Sequence, residues 1–302
     1  MSALAGEELY RAIIERGGVA HLSHRARFRV SGADRVRWLN GQVSADVRKL
    51  TPGAALYACV MTAKGRMCAD IFITGHDDHL LLDAPPALRE TLGPRLERYI
   101  IADDVTLEDV TEQTAQYHIL SPAAAPDGAS RANRIGIEGW DVTCPVSEAG
   151  PRWQQLTENM PAMDAVTLEL LRIERGVPAW GMELGEDTLP PEAGLDRTAI
   201  DYHKGCYLGQ EVISRIKSVG HVNRQLAGFT LDAPIPPGAA LFDPDAPDKP
   251  AGQITSTAWS FALSRTIALG YLKRGIAAQT LIAQQQGAPV VRATVHQLPF
   301  VS

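Results

Sequence analysis

Apolar residues recur at helical spacing along residues 210–220, directly after a glycine. Glu211 lies in the first turn of this segment and Lys217 in the last turn, where their charges complement a helix dipole. Gly220 follows as a residue that readily takes the left-handed conformation beyond a helix end. The pattern therefore predicts a helix that begins after Gly209 and packs along one face. The apolar residues on this face are Val212, Ile213, Ile216 and Val219.

The same reading predicts mixed helices and strands through the first 220 residues. Asp164 is a candidate N-cap for a helix that ends before Gly176. Pro94 is expected to kink its helix because proline lacks the backbone N–H. The predicted helices span 7–16, 32–39, 85–101 and 164–175, a hairpin joins strands 56–61 and 67–73, and further strands are predicted at 26–30, 79–83, 105–109, 115–120 and 134–143.

Beyond residue 222 the chain changes to short β-rich segments separated by Pro and Gly clusters. Repeated short strands with turn signals between them are typical of a small antiparallel barrel. The Pro/Asp-rich stretch at 243–250 is expected to be an exposed loop. The predicted strands of this region are 224–231, 239–242, 251–259, 265–273, 279–284 and 289–296.

The chain has 302 residues, of which 45% are hydrophobic and 21% charged, and its formal net charge is -6. This length and composition indicate a globular protein of two or three domains. The acidic balance argues against a broad nucleic-acid-binding surface. No apolar run is long enough to span a bilayer, and the N-terminus has acidic residues but no apolar signal segment. We therefore expect a soluble cytoplasmic protein.

The cysteines are widely spaced and form no C-x-x-C pair or Cys/His ligand pattern, so a metal site is not expected. Cys206 lies between Lys204 and the predicted helix start, and both the lysine and the helix dipole would favour its reactive thiolate. The alternative is a small buried hydrophobic residue, as most free cysteines are. Gly205 and Gly209 permit tight turns or the close approach of a ligand to the backbone.

Several polar or aromatic side chains are candidates for ligand binding. Tyr207 could stack on a planar ligand or fill the core, and Gln210 and Glu211 could bind a ligand or face water. Arg172 could bind a ligand carboxylate bidentately or form a structural ion pair. Glu192 lies between Pro-Pro and Ala-Gly. Its carboxylate could accept two hydrogen bonds from an aminopyrimidine-like edge, or it could be a solvated loop acid.

Residues 204–211 read Lys-Gly-Cys-Tyr-Leu-Gly-Gln-Glu. This octet resembles the signature Lys-Gly-Cys-Tyr-x-Gly-Gln-Glu of the YgfZ-like folate-binding proteins, and every fixed position matches. Those proteins are relatives of the glycine cleavage T-protein, an aminomethyltransferase, and mitochondrial iron–sulfur assembly factors share the signature. The resemblance extends over nearly the whole chain, with further similar segments at 28–50, 98–105, 171–178 and 296–300.

The resemblance implies an α+β fold of the T-protein/YgfZ-like type, with several parts arranged around a central cavity. An N-terminal α+β folate-binding part is expected to be discontinuous, a ferredoxin-like part to lie in the middle of the chain, and an antiparallel β-barrel to close it. The expected boundaries are 1–110 with 180–222 for the first part, 111–179 for the second and 223–302 for the barrel.

The resemblance also implies a cofactor and a role. The cofactor is tetrahydrofolate or another reduced folate, and the role is the synthesis or repair of iron–sulfur clusters in client enzymes, some of which modify tRNA. Client or assembly proteins are the expected partners, without direct nucleic-acid or membrane binding. The pterin is expected near Glu192, and Cys206 is expected to act close to the folate or on a sulfur or cluster species. The implied catalytic residues are Cys206, Lys204 and Asp70, and the implied folate-binding residues are Glu192, Tyr207, Gln210, Glu211 and Arg172.

One strand departs from the T-protein pattern. T-proteins carry an Asp-Asp pair there and use an aspartate for aminomethyl transfer, whereas this chain has Ala69 followed by Asp70. Acid–base catalysis needs a titratable group within reach of the proton that moves, so the missing carboxylate speaks against glycine-cleavage activity. Two alternatives stay open: a tetrahydrofolate-dependent aminomethyl- or demethyl-transferase, and a non-catalytic adaptor with folate as a structural ligand.

Overall fold

The computed structural model of the chain describes residues 6–121 and 125–301. Residues 1–5 of the first predicted part, 122–124 of the second and 302 of the third lie outside the described residues. The helices are α1 (Gly6–Arg16), α2 (Arg35–Gln42), α3 (Arg89–Glu97), α4 (Ala149–Thr157), α5 (Ala165–Glu174) and α6 (Gln210–Val219). The strands are β1 (Gly18–His21), β2 (Ala26–Ser31), β3 (Ala55–Met61), β4 (Met67–Gly75), β5 (His79–Ala84), β6 (Thr106–Asp109), β7 (Thr114–Leu120), β8 (Ser130–Asn133), β9 (Glu138–Pro145), β10 (Ala162–Met163), β11 (Arg224–Leu231), β12 (Ala240–Asp243), β13 (Ala246–Ser260), β14 (Arg265–Lys273), β15 (Thr280–Gln284) and β16 (Val291–His296).

Two helix predictions are confirmed down to the residues that end them. Helix α6 lies between Gly209 and Gly220, but Gly220 is extended (φ -101°, ψ -170°), so the predicted left-handed conformation at this end is wrong. Asp164 caps α5 by accepting a hydrogen bond from the Thr167 backbone N–H at 2.7 Å. Among the described residues, no helix combines the length and the apolar character needed to cross a membrane.

The helix predicted at 85–101 is shorter in the structure. A 3-10 turn over Pro86–Leu88 precedes α3, which ends at Glu97. The carbonyl of Tyr99 accepts a hydrogen bond from the Trp38 indole N–H at 3.0 Å. The backbone beyond α3 tightens into i→i+3 hydrogen bonds, from Tyr99 N–H to the Leu96 carbonyl at 3.0 Å and from Ile100 N–H to the Glu97 carbonyl at 2.9 Å. The last predicted turn is therefore not α-helical.

Two five-stranded sheets form the first part of the described chain. One has the order β3-β4-β5-β2-β6, and its core face carries the largest hydrophobic cluster. The other has the order β10-β1-β7-β9-β8, so β1 joins strands that come a hundred residues later. The strand predicted at 134–143 begins later, at Glu138 in β9, because its first residues form a turn with Gly136 in the left-handed conformation (φ 78°). The sequence did not predict β8, which precedes this turn.

The predicted C-terminal barrel is confirmed. Strands β11-β14-β13-β12-β15-β16 close into an antiparallel barrel around its own hydrophobic core. The loop predicted at 243–250 is exposed, but most of it is strand. Asp243 pairs with Ala246 across a tight turn and Phe242 pairs with Pro250, so the hairpin extends β13 back to Ala246.

Candidate functional site

A cavity of about 1390 Å³ lies where the two sheets and the barrel meet. This volume exceeds the several hundred Å³ of an ordinary small-molecule site, so the cavity has room for a cofactor-sized ligand. It confirms the central cavity expected from the sequence. Side chains from all three layers line it, among them Tyr57, Asp70 and Phe72 from the first sheet, His118 and nearby Arg134 from the second, and Gln225 and His296 from the barrel.

Asp70 reaches the cavity because strand β4 alternates between two faces. Its neighbours Ala69 and Ile71 are fully buried in the hydrophobic core, whereas Asp70 lines the cavity wall. The Tyr57 hydroxyl donates to Asp70 Oδ2 at 3.1 Å, and Oδ1 is buried without a hydrogen-bond partner in the described residues. Burial raises the pKa of Asp70 above the usual aspartate value. The residue is thus a carboxyl group with one oxygen left for a ligand.

The position of Ala69 in the fold decides whether the absence of a second aspartate in β4 affects the cavity. Ala69 occupies a core position with no exposed surface. A carboxylate at that position would face apolar side chains, not the cavity. The carboxyl that remains, Asp70, is the one that the cavity can use.

Two aromatic rings extend the wall beside Asp70. Tyr57 and Phe72 are stacked with their ring centroids 4.7 Å apart. The Arg134 guanidinium lies over the Phe72 ring at 4.3 Å from its centroid. A planar ligand could pack along this surface, since aromatic faces favour stacked partners.

A buried network of charges joins the two sheets at the cavity. Arg25 Nε and Arg134 Nη1 both donate to Asp83 Oδ1, at 2.6 and 2.8 Å. Arg134 Nη2 also lies 2.8 Å from Asp141 Oδ2 in the second sheet. Arg25 Nη2 is buried and has no hydrogen-bond partner in the described part of the chain. Because such donors rarely stay unpaired, Arg25 offers a second polar atom for a ligand or a water.

The octet is anchored by its lysine. Lys204 is buried, and its Nζ donates to the carbonyls of Asn40 and Val43 at 2.6 Å and of Ala45 at 2.9 Å. Desolvation lowers the pKa of Lys204 to about 8. The ammonium protons therefore bind backbone at the end of α2, whereas the sequence predicted that this charge would act on Cys206.

Cys206 is exposed ahead of α6, which excludes the alternative of a buried hydrophobic cysteine. Gly209 starts the helix in the left-handed conformation with φ 88°. A Cβ at this position would lie 2.6 Å from the Thr62 carbonyl oxygen, so only glycine fits the turn. The octet sequence thus places a free thiol on the surface, and glycine fixes the turn that follows it.

The other octet side chains do not gather into a pocket. Tyr207 is buried in a hydrophobic cluster with Met61 and Met67, as its core alternative predicted. Gln210 is half-buried, and Glu211 is exposed and accepts a hydrogen bond from Arg215 at 3.0 Å. Ligand contacts of these three residues stay predictions.

Glu192 is buried beside the barrel. Its Oε2 accepts hydrogen bonds from Arg224 Nε at 3.0 Å and from the Leu189 backbone N–H at 3.4 Å. This carboxylate is neither a solvated loop acid nor part of the cavity lining in the described residues. Its contact with a pterin stays a prediction, and the geometry gives it structural partners.

Arg172 lines the cavity, but its guanidinium is already occupied. Nε donates to Glu169 at 2.8 Å, Nη1 to Glu183 at 2.9 Å, and Nη2 to the Ser256 hydroxyl at 2.9 Å. The structure therefore supports the ion-pair alternative over a free carboxylate-binding site. These bonds tie α5 to the barrel strand β13.

Of the predicted site residues, the structure brings only Asp70 and Arg172 to the cavity wall in the described chain. The octet and Glu192 lie elsewhere. Sequence reasoning missed most of the wall because its residues are scattered over five segments. Only the alternation in β4 carried a local signal, since it puts Phe72 on the same face as Asp70. The missed residues are Arg25, Tyr57, Phe72, His118 and Arg134.

Comparison with known families matches both ends of the chain. Residues 2–127 match the N-terminal domain of the glycine cleavage T-protein family, and residues 224–302 match the T-protein C-terminal barrel domain. Among solved structures, the glycine cleavage system aminomethyltransferase T from Bartonella henselae superposes with a TM-score of 0.88. That alignment covers 100% of this chain and 91% of the other at 19% identity, so it shows a shared fold.

Several curated relatives are similar at low identity. A chloroplastic protein of Arabidopsis thaliana, named as a putative transferase, is 28% identical over 85% of this chain, and the aligned region spans 65% of its own length. An aminomethyltransferase of Synechococcus elongatus is 28% identical, with 96% of this chain and 86% of the relative covered. An aminomethyltransferase of Geobacillus kaustophilus is 27% identical, with 90% and 83% covered.

Proposed function

Because this chain belongs to the superfamily of the glycine cleavage T-protein, we propose that it binds tetrahydrofolate or another reduced folate in its central cavity. We propose further that it supports the assembly or repair of iron–sulfur clusters in client enzymes, including enzymes that modify tRNA. The observation that carries the first proposal is the cavity wall beside the Tyr57–Phe72 stack. There Asp70 and Arg25 each have a buried polar atom without a hydrogen-bond partner in the described part of the chain.

The residues of this wall fit a reduced folate. The aminopyrimidinone ring of its pteridine is planar and presents N–H donors and a carbonyl acceptor on its edge. Asp70 Oδ1 can accept from such a donor, Arg25 Nη2 can donate to such an acceptor, and the aromatic pair offers a flat face. A bound reduced folate would supply one-carbon carrier chemistry at this wall. The protein would hold and orient the ring.

The exposed thiol supports the second proposal. Cys206 lies on the surface ahead of α6 and is not part of the cavity lining in the described residues. A thiol in that place can meet a partner protein, whereas contact with a folate in the cavity would need a rearrangement of its loop. Sulfur is the soft ligand that iron–sulfur chemistry uses.

The cellular test compares the exposed Cys206 with a partly exposed cysteine outside the octet. In cells that lack the protein, Cys206→Ser should fail to restore the activity of the iron–sulfur client enzymes. Cys144→Ser, a control on a partly exposed cysteine of β9, should restore it. Full restoration of client-enzyme activity by Cys206→Ser would contradict a chemical role for the thiol. It would favour the alternative of a non-catalytic adaptor, which needs only an intact cavity.

A second candidate function is a tetrahydrofolate-dependent aminomethyl- or demethyl-transferase. The observation that favours it is Asp70, because the cavity keeps a buried carboxyl with a raised pKa, as acid–base catalysts often have. Aminomethyltransferases are also among the relatives. Formation of methylene-tetrahydrofolate from an aminomethyl donor, abolished by Asp70→Asn, would establish turnover. No product above the buffer blank would exclude it.

A further inference from the structure

His118 is a buried histidine with one unused nitrogen at the cavity. It lies in β7, its side chain is 1% exposed, and it belongs to the cavity lining. Its Nδ1 is 2.8 Å from Asp141 Oδ1. Its Nε2 is buried and has no hydrogen-bond partner among the described residues. Leaving a buried polar atom unpaired is unfavourable because the atom loses its hydrogen bonds to water, and the described residues supply no replacement for this nitrogen.

The neighbours of His118 fix which nitrogen carries the proton. Burial disfavours the charged form of Asp141, but the charge of Arg134 and the hydrogen bonds to this carboxylate prevail and hold its pKa at about 2. An ionised carboxylate can only accept, so the imidazole proton lies on Nδ1. In the neutral ring Nε2 is then a lone-pair acceptor. It can accept a hydrogen bond from an N–H or O–H group, but it carries no proton to donate.

Gly139 lies beside this edge of the ring. A Cβ on Gly139 would lie 2.9 Å from His118 Cε1 and 3.0 Å from Nε2. It would also lie 2.5 Å from the Ile119 carbonyl oxygen. Glycine therefore allows β9 to approach both the backbone of β7 and the imidazole edge closely, where a larger residue would collide with the ring.

We propose that His118 is a ligand-binding residue of the cavity, whose Nε2 accepts a hydrogen bond from an N–H donor of the bound molecule. The identity of that molecule as a reduced folate rests on the proposed function. Asp141 and Arg134 are positioning residues that set the tautomer and orientation of the ring. Together with Asp70, the wall then presents two acceptors, and Arg25 adds a donor.

The test observes His118 Nε2 directly by NMR in the full-length protein. Long-range ¹H–¹⁵N spectra of the imidazoles, recorded anaerobically, should show His118 as the Nδ1–H tautomer, and added tetrahydrofolate should shift its Nε2 resonance. His79 is the matched control, because its Nδ1 also lies against an aspartate, 2.6 Å from Asp78 Oδ1, but outside the cavity lining. Its resonances should not move. His118→Gln and His79→Gln assign the two signals.

Calorimetry separates the outcomes. His118→Phe should weaken tetrahydrofolate binding about tenfold or more, the loss expected for one buried hydrogen bond, while His79→Gln should bind like the wild type. Binding with an unmoved His118 resonance would overturn the inference, leave the folate proposal standing and mean that Nε2 meets only a water. No binding by the wild-type protein would overturn the proposed function and this inference with it. The wild-type spectra test the inference even if a variant fails to fold.

Discussion

The octet at residues 204–211 and the wall of the central cavity contrast in how each is built. The octet is contiguous and distinctive in sequence, yet its buried side chains serve the fold: Lys204 binds three backbone carbonyls, and Tyr207 packs in a hydrophobic cluster. The cavity wall is assembled from scattered segments, and it holds polar atoms of Asp70, Arg25 and His118 that have no hydrogen-bond partner among the described residues. A recognisable motif and a ligand-binding surface are therefore different places in this molecule.

The contrast also separates two kinds of chemistry. Cys206 offers a thiol to the outside of the molecule, and the cavity offers hydrogen bonds to a ligand inside it. If this division is correct, substitutions in the octet should change stability or partner chemistry, and substitutions in the wall should change ligand affinity.

The largest expected effect is on stability, from Lys204→Met. The substitution leaves three buried carbonyls without their donor, and we expect a loss of about 3 kcal/mol in the free energy of unfolding. Urea denaturation measures it. The control is Lys217→Met, because Lys217 is exposed and contacts the Tyr202 ring, and it should cost at most about 1 kcal/mol. Unchanged stability of Lys204→Met would mean that these three hydrogen bonds do not stabilise the fold, and it would favour a chemical role for the lysine.

Glu192→Gln should have a smaller effect on stability. It removes the charge that pairs with half-exposed Arg224, and we expect a loss of about 1–2 kcal/mol. The matched control is Glu211→Gln in an exposed pair with Arg215, for which about 0.5 kcal/mol or less is expected. If Glu192→Gln lowers the tetrahydrofolate affinity by more than its loss of stability explains, Glu192 contacts the pterin after all.

Asp70→Asn should stabilise the protein by about 1 kcal/mol at pH 7. Burial raises the pKa of Asp70 in the folded state, so the wild type loses stability as the pH rises from the unfolded-state value, near 3.8, through the raised folded-state value. The amide cannot ionise, so the advantage of the variant should vanish at pH 3.5 and be complete at neutral pH. Thermal melts across this pH range measure it. An advantage that does not depend on pH would contradict the burial of an ionising carboxyl.

The smallest effect is on thiol reactivity. A water-soluble disulfide reagent should label Cys206 fastest in the native protein, because its side chain is exposed while Cys59 is buried and Cys68 and Cys144 are partly covered. Burial also raises the pKa of Cys59 and keeps it a thiol. Cys206→Ser should remove the fast phase. A fast phase that persists would place the reactive thiol elsewhere.

Much of the fold follows from local signals in the sequence. The N-cap at Asp164, the glycine that starts α6 and the alternating strands of the hairpin were all readable because each depends on neighbouring residues. The end of α3 was not, since the change to i→i+3 hydrogen bonds after Glu97 carries no residue signal in the sequence. The extended β13 was missed because proline and aspartate favour loops unless a partner strand fixes them.

The site was harder to predict than the fold. Asp70 was found because a family pattern pointed to it, and Arg172 because of its charge. The partners that decide what such residues can do lie far along the chain, such as Ser256 for Arg172 and Asp83 for Arg25. Pairing of this kind follows only from the packing of one sheet on another.

The measurement that tests the central claim most directly is anaerobic calorimetric titration of the purified protein with tetrahydrofolate, with Asp70→Asn and Cys206→Ser run beside the wild type. We predict saturable binding by the wild type, unchanged binding by Cys206→Ser, and binding about tenfold weaker or more in Asp70→Asn. Binding that is lost in Cys206→Ser and retained in Asp70→Asn would place the folate at the octet and contradict the cavity as its site.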